Sequence, residues 1–318
     1  MNISVIIVTR NTREMTLDCL QQLEGYMRSG SHQVVVVDNA SSDDTADAIA
    51  ARYPRVAVVR EPRNMGFARA SNDGAREARG EFLLFLNSDT LASAEAIEGL
   101  ANTLQEGPAL GAVAPQLVYP DGRQQETAGY APSPMREFSS WARKRARARV
   151  AAALREAENL AEVGFLSGAA LMVRREAFSA VGGFDESFFF YYEDVDLCTK
   201  LAARGWAIRL VPEVTVVHLR GGSATQAPGP AIEMTRSRYQ YLRKHYGLAR
   251  ALAASGFGVL ITLRRAVLNL LATLFTAGCW PKVRRKAVLH SRLCLWFLLL
   301  RPRRESWVYR TLFGDWQR

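Results

Sequence analysis

The first ninety residues predict an α/β fold with a mostly parallel, doubly wound sheet and flanking helices. Two observations carry this. Short β-branched runs alternate with amphipathic stretches at a spacing that suits repeated strand–helix units. The strand-like runs are apolar almost throughout, as strands covered on both faces must be. A third observation points to a binding region. Polar clusters follow these runs directly, and open sheets of this class bind ligands beyond their C-terminal strand ends.

Taken in order, strands are expected at Ser4–Thr9, Gln33–Asp38, Arg55–Arg60 and Glu81–Asn87. Helices are expected between them at Glu14–Tyr26, Asp43–Arg52 and Ala68–Arg79. Gly111–Tyr119 reads as a further strand, closed by the turn Pro120-Asp121-Gly122. Residues 130–162 carry Pro132, Pro134 and the run Arg143-Lys144-Arg145-Ala146-Arg147-Ala148-Arg149, which suits either a mobile loop or a basic surface helix. Regular structure resumes at Gly164–Arg174, followed by a helix from about Asp194 to Arg204 and a strand over Ala207–His218.

The composition narrows the function classes. Of 318 residues, 48% are hydrophobic, which supports a substantial core and excludes global disorder. Cys19, Cys198, Cys279 and Cys294 lack metal-ligand spacing, so a reducing compartment without disulfides is expected. The apolar start, Met1–Val8, has no basic segment and no small-residue cleavage site, and suits a strand better than a signal peptide.

The net charge of +10 is unevenly placed. Residues 1–222 hold 24 Lys and Arg against 28 Asp and Glu, whereas residues 223–318 hold 17 against 3. This divides the chain into an α/β domain at 1–222 and a basic, helical, membrane-associating or oligomerising region at 223–318. In that region two apolar runs, Ala251–Leu263 and Ala266–Trp280, are separated by Arg264-Arg265, and a third, Leu293–Leu300, lies between Arg292 and Arg301. Each run is shorter than the ~20 residues needed to span a bilayer. Apolar helices bordered by arginines suit in-plane docking on an anionic leaflet; the other reading is a helical subdomain facing solvent or a second copy of the chain.

The candidate chemistry gathers at strand ends. Asp38 follows the valine run of 34–37 and either accepts hydrogen bonds from a base or ribose or caps the next helix. Asn87-Ser88-Asp89 ends another strand in hard oxygen donors that suit Mg²⁺ or Mn²⁺, or else forms a simple turn. Asn64-Met65-Gly66-Phe67-Ala68-Arg69 opens a helix whose N-terminus favours an anion, with Gly66 permitting close approach and Arg69 able to hold a phosphate. An aromatic run, 188–192, leads into Glu193-Asp194, where a desolvated carboxylate suits a general base. His218, at the end of a strand, is either structural or a metal ligand. A Walker lysine and a G-x-G-x-x-G after the first strand are both absent, which weighs against P-loop enzymes and dehydrogenases.

Six strings in this order resemble one family. They are Ser4–Asn11, Val37–Ser41, Asn64–Ala68, Asn87–Asp89, Gly183–Glu186 and Tyr192–Leu197, with His218 after them. The sequence resembles the family 2 glycosyltransferases over about residues 3–225, and is most similar to their bacterial rhamnosyltransferase-like branch. The resemblance implies a GT-A fold and an inverting transfer from a nucleotide-diphosphate sugar to a lipid-linked or polysaccharide acceptor in cell-envelope glycan synthesis. It implies that Thr9, Asn11 and Asp38 meet the nucleoside, and that Asn64, Gly66, Arg69, Asn87 and Ser88 surround the diphosphate sugar. Asp89 and His218 would hold Mg²⁺ or Mn²⁺. Asp194 would be the base, Glu193 would shape the acceptor site, and Leu166, Ser167, Gly168 and Tyr192 would line it. The metal motif departs from the family pattern, since Asn87 stands where a first acid is usual.

A dTDP-rhamnose donor is favoured by the resemblance, with a UDP-hexose or UDP-N-acetylhexosamine as the alternative. The expected location is the cytoplasmic face of the membrane, held peripherally. A nucleotidyltransferase would need a glycine-rich loop where Thr9-Arg10-Asn11-Thr12-Arg13 stands. A non-catalytic membrane or nucleic-acid adaptor is the reading of another class. The arginines of the tail alternate with leucine-rich runs and not with stacking aromatics, so nucleic acid is not the expected partner.

Overall fold

The computed structural model describes residues 2–28, 32–156, 160–219, 228–276 and 279–298. They form two compact units, Met1–Ala131 with Arg145–Gly221, and Pro132–Lys144 with Gly222–Arg318.

The elements follow in chain order. First come β1 (Ile3–Thr9), α1 (Arg13–Gln22), α2 (Glu24–Arg28), β2 (Gln33–Asp38), α3 (Thr45–Arg52), β3 (Ala57–Arg60), α4 (Phe67–Glu77) and β4 (Phe82–Asn87). Next are β5 (Thr90–Leu91), α5 (Ala94–Glu106), β6 (Leu110–Val118), β7 (Ala128–Gly129), α6 (Pro134–Phe138) and α7 (Ser140–Glu156). Then come β8 (Ala161–Glu162), β9 (Phe165–Leu166), β10 (Ala170–Arg174), α8 (Arg175–Ala180), α9 (Glu193–Ala203) and β11 (Ala207–His218). Three helices complete the second unit: α10 (Pro228–Tyr246), α11 (Leu248–Phe275) and α12 (Pro281–Leu298).

Nine strands make one sheet in the order β3-β2-β1-β4-β10-β6-β11-β5, with β8 also paired to β11. The strands β1 to β4 are parallel, as the repeated strand–helix pattern requires. Their register aligns the polar ends: Thr9 lies opposite Asp38, and Val8 opposite Asn87. Beyond β4 the sheet is mixed, because β10 enters antiparallel to both β4 and β6. The stretch 164–174 is accordingly two strands, with β9 paired to β7 in a separate ribbon. Helix α5 is an addition to the expected elements although its signal is local. Ser93 caps it by accepting from Ala96 N at 3.2 Å, and Ile97, Leu100, Ala101 and Leu104 form its buried stripe. The basic stretch of 143–149 is helical and lies within α7.

Alternating side chains feed two cores. Ile3, Val5, Ile7, Leu84 and Leu86 face one layer; Ile6, Leu83 and Phe85 face the other. Helix α4 sits against β1 and β2 so closely that a Cβ on Gly74 would lie 2.6 Å from Ile6 Cγ2 and 2.9 Å from Val37 Cγ2.

In the second unit, α11 runs for 28 residues straight through Arg264-Arg265. The first apolar run read from the sequence and the second as far as Phe275 are therefore one helix, long and apolar enough to cross a membrane. The arginines interrupt the hydrophobicity and not the helix, for which arginine is a good former. Most of the third run, Leu293–Leu300, lies in α12, and its last two residues lie outside the described residues. Tyr246 Oη donates to Pro132 O at 3.2 Å, tying the end of α10 to the segment before α6.

Replacing a mid-helix glycine by alanine normally stabilises by up to about 1 kcal/mol. At Gly74 the overlap with Ile6 and Val37 outweighs that gain, so Gly74→Ala is expected to lower stability by about 1–3 kcal/mol in urea unfolding.

Candidate active site

The loops after β1, β2 and β4 interlock through short polar bonds. Asn39 N donates to Thr9 O at 2.9 Å, joining the ends of β1 and β2. Asn11 N donates to Ser41 Oγ at 3.0 Å, and Asn11 Oδ1 accepts from Ser42 N at 2.8 Å. Thr9 and Thr12 share a hydroxyl contact of 2.9 Å, and Thr12 reaches Ser88 Oγ at 3.1 Å. Asp38 is buried and accepts from Ser41 N at 3.3 Å, closing the turn after β2; it does not cap α3, which begins at Thr45.

Asn39 organises the next loop. Its Nδ2 donates to Asn64 Oδ1 at 3.0 Å and its Oδ1 accepts from Met65 N at 2.7 Å. Asn64 Oδ1 also accepts from Gly66 N at 3.1 Å. Gly66 has φ of 84°, and a Cβ there would lie 2.5 Å from the Phe189 carbonyl oxygen, so the position demands glycine. Phe67 N donates to that same carbonyl at 2.7 Å. The start of α4 is thereby fastened to the aromatic run of 188–192. A second clamp lies further along α4, where Asn72 exchanges two bonds of 2.9 Å with the Phe184 backbone and donates to Glu186 Oε1 at 3.1 Å.

The aromatic run ends in strain. Tyr191 and Tyr192 both have φ of 69°, which costs about 1–3 kcal/mol for each non-glycine residue held there. This conformation starts α9 with Glu193 buried and Asp194 half-buried. Asp194 Oδ2 accepts from Gly168 N at 2.9 Å, and Oδ1 from Val195 N at 2.8 Å. Burial pushes the Asp194 carboxyl above the usual range, and these two backbone donors only partly offset it. The loop that supplies Gly168 is itself anchored to β4, since Asn87 N donates to Ala169 O at 2.9 Å.

Asp89 follows directly. Its Oδ1 lies 3.3 Å from His218 Nε2, held by pairing of β5 with the end of β11, where His218 faces Thr90. Gln125 lies behind the imidazole, its Oε1 2.8 Å from His218 Nδ1. Among the described residues no group of three or more His, Cys, Asp or Glu could hold an ion alone. A carboxylate oxygen beside an imidazole nitrogen is still a fitting donor pair for Mn²⁺ or Mg²⁺, ions that complete their shells with water and substrate phosphate.

The residues picked out in the sequence thus fall into joined clusters. Thr9, Asn11, Asp38, Asn64, Gly66, Asn87 and Ser88 lie on the interlocked loops, Asp89 meets His218, and Asp194 meets Gly168. Arg69 lies 3.8 Å from Asp73 and 4.0 Å from Glu186, half-exposed on the first turns of α4. Leu166 is fully buried and its N donates to Cys198 Sγ, and Gly168 is buried as well, so the loop surface there belongs to Ser167. Burial pushes the Cys198 thiol up to about 12, in keeping with chemistry that uses no thiolate. Thr12, Asn39, Asn72 and Gln125 escaped the sequence reading. Asn39 stands inside one of the quoted strings, so its type was visible; its partners, and those of Asn72 up to 114 residues away, were not.

The sheet order and the site at its strand ends define the GT-A glycosyltransferase class, and comparison with known proteins agrees. The mannosyltransferase PcManGT from Pyrobaculum calidifontis, solved with GDP-Man and Mn²⁺, superposes with a TM-score of 0.56 at 19% identity, covering 96% of this chain and 88% of that one. GalNAc-T7, solved with UDP, GalNAc and Mn²⁺, gives 0.55 at 16% identity over 76% of this chain and 50% of that one. At these identities the likeness concerns the fold. The model of glycosyl transferase family 2 matches residues 4–182, and the chain belongs to that family. It is 31% identical over 242 residues to the N-acetylglucosaminyl-diphospho-decaprenol L-rhamnosyltransferase of Mycobacterium tuberculosis, covering 69% of this chain and 77% of that one. It is 25% identical over 278 residues to the dTDP-rhamnosyl transferase RfbF of Shigella flexneri, covering 86% and 87% respectively.

Asn39→Ala strips Asn64 and Met65 N of their buried partner. A stability loss of about 1–3 kcal/mol is expected in denaturant titration, with weaker nucleoside diphosphate binding in calorimetry.

Proposed function

We propose that this glycosyltransferase is an inverting, cation-assisted rhamnosyltransferase that draws on dTDP-rhamnose and acts on a lipid-linked or polysaccharide acceptor in cell-envelope glycan synthesis. The observation that carries the chemistry is the arrangement around the end of β4. One desolvated carboxylate, Asp194, is fixed through Gly168 on one side, and the Asp89–His218 pair follows Asn87 on the other. The donor and acceptor classes are supported by the two rhamnosyl-transferring relatives.

In this reading Thr9, Asn11 and Asp38 hold the nucleoside, while the Asn64–Gly66 loop, Arg69, Asn87 and Ser88 surround the diphosphate sugar. Asp89 and His218 hold Mg²⁺ or Mn²⁺, which when bound supplies charge to offset that of the departing diphosphate. Ser167 and Tyr192 face the acceptor, with buried Gly168 and Glu193 supporting their shape. Asp194 takes the proton of the acceptor hydroxyl as its oxygen bonds to the anomeric carbon. The bond from that carbon to the diphosphate oxygen breaks, and the nucleoside diphosphate leaves with the electron pair. One base on the face opposite the leaving group is all that inversion needs.

The protein is proposed to work at the inner face of the cytoplasmic membrane, docked through its C-terminal helices. Exposed Leu260, Leu263, Val267, Leu271 and Leu274 share one broad face of α11. Arg264-Arg265 stand near the midpoint of that helix, and at a bilayer centre each costs about 2.5–3.5 kcal/mol on insertion scales. Lying in the interface avoids that cost and sets the arginines against anionic headgroups.

The deciding experiment is turnover across a panel of dTDP, UDP and GDP sugars with a lipid-diphosphate acceptor, with Mn²⁺, Mg²⁺ or EDTA. Metal-dependent use of dTDP-rhamnose with inversion is expected; turnover unaffected by EDTA, or confined to a UDP sugar, overturns the corresponding part. Asp194→Asn is expected to lower kcat by about 10²–10⁴-fold. In the wild type, kcat/KM should rise with pH through an apparent pKa above that of an ordinary aspartate, since only the ionised base acts. A limb at the ordinary aspartate value would remove Asp194 from that role.

Membrane docking predicts co-sedimentation with vesicles rich in phosphatidylglycerol, weaker binding at high salt, and release by alkaline carbonate. Retention through the carbonate wash would mean that α11 spans the bilayer.

A further inference from the structure

We infer that Gln125 is the positioning residue of the Asp89–His218 pair, its side-chain oxygen keeping the imidazole proton on Nδ1 so that a bare Nε2 faces Asp89. The inference deepens the cation-assisted reading above and rests on it.

The argument begins with which end of the Gln125 amide is nitrogen. Its Nε2 lies 2.7 Å from the His218 carbonyl oxygen and 3.2 Å from the Val118 carbonyl oxygen. Carbonyls only accept, so the NH₂ group must sit there, and the opposite orientation would set three oxygens against one another. Oε1 is then the atom 2.8 Å from His218 Nδ1. An amide oxygen also only accepts, so Nδ1 must carry a hydrogen. In the neutral imidazole a proton on Nδ1 leaves Nε2 with an open lone pair. That lone pair points at Asp89 Oδ1, 3.3 Å away. Two acceptors face each other, and either a proton or a cation must lie between them. A cation is the occupant that leaves the imidazole neutral and the Asp89 carboxylate ionised, and an outer partner that fixes a ligand histidine in this way raises its basicity.

Gln125 can dictate this because its own segment is rigid. Gln125 N donates to Leu117 O at 2.8 Å, pinning it to β6. Gln125 O accepts from Gln116 Nε2 at 2.9 Å and from Thr127 Oγ1 at 3.2 Å, and both of those residues are buried. Thr127 O in turn accepts from Ser167 N at 2.8 Å, one residue before the Gly168 that holds Asp194. One short strap therefore orients the histidine and braces the loop beneath the base.

Two variants separate this role from simple bracing. Gln125→Leu loses all three bonds, whereas Gln125→Glu keeps an oxygen for Nδ1–H and, with its other carboxyl oxygen protonated, a donor for the His218 or Val118 carbonyl. Mn²⁺ affinity is read from the electron paramagnetic resonance signal of free Mn²⁺, with dTDP and separately UDP present. Gln125→Leu should bind Mn²⁺ about 10–100-fold more weakly, and Gln125→Glu should stay within about threefold of wild type. Equal weakening in both variants would make Gln125 a brace only, and wild-type affinity in Gln125→Leu would remove the role altogether. If the wild type binds no Mn²⁺ with either nucleotide, the cation reading itself falls and takes this inference with it.

A measurement on the unaltered protein guards against misfolded variants. Long-range ¹H–¹⁵N spectra of the metal-free enzyme, with His218 assigned by its loss in His218→Gln, should show the Nδ1–H tautomer of the neutral ring. The Nε2–H pattern would overturn the inference.

Discussion

The active end of this molecule depends on one antiparallel pairing. Strand β10 runs against β4, and at the head of that pair Asn87 N donates to Ala169 O. The bond places the turn of 167–169 beside Asn87-Ser88-Asp89. Gly168 approaches so closely that a Cβ there would touch Asp194 Cβ at 3.4 Å, and its N–H grips the carboxylate. A parallel β10 would begin at the other end of the sheet, and its leading turn would be far from every polar strand end. The direction of a single five-residue strand thus decides whether Asp194 and the loops after β1, β2 and β4 share a site.

The strain at Tyr191 and Tyr192 is held by the aromatic run before it. Phe184 and Phe188 are almost wholly buried, and Phe184 meets Phe85 edge-on with centroids 4.8 Å apart. Burying one such ring contributes about 1.5–3 kcal/mol, comparable to the strain of one left-handed tyrosine. Phe67 N and Asn72 add hydrogen bonds to the Phe189 and Phe184 backbone. The segment is therefore over-determined by packing on one side and bonding on the other, and α9 can begin with Glu193-Asp194 in a fixed direction. Asn11 and Ala40, with φ of 52° and 60°, show the same character in the loops after β1 and β2. Strain gathers in the loops of the candidate site, and the sheet beneath supplies the rigidity.

The same reasoning orders the polar groups by what they do. Asn39 ties loop to loop; Gln116 and Thr127 hold the strap that carries Gln125; none of these needs to touch a substrate. Fully bonded networks of this kind make a site rigid, since each buried amide left without its partner would be costly. In the second unit the balance is different: α11 exposes leucines along one face and carries its charge as arginine, and the proposed membrane docking rests on that surface.

By itself the sequence determined the parts whose signal is local. The run Val34–Val37 marks β2 and its buried faces, Asp38 marks its end, and Ala207–His218 is a strand over the very residues expected. The polar strings at those ends, from Thr9 to Asp194, were legible because carboxylates and amides after apolar runs are costly unless used. Tertiary structure alone decided how they meet. The reversal of β10, the splitting of 164–174 between two sheets, and the continuity of α11 through two arginines leave no mark on the local hydrophobic pattern. Gln125 is the clearest case: it stands in a polar turn like any other, 93 residues from His218, and only the pairing of β11 with β6 and β5 brings the two within 2.8 Å. Periodicity records which face of a strand is buried, whereas the partner across a hydrogen bond is chosen by the packing of the whole sheet.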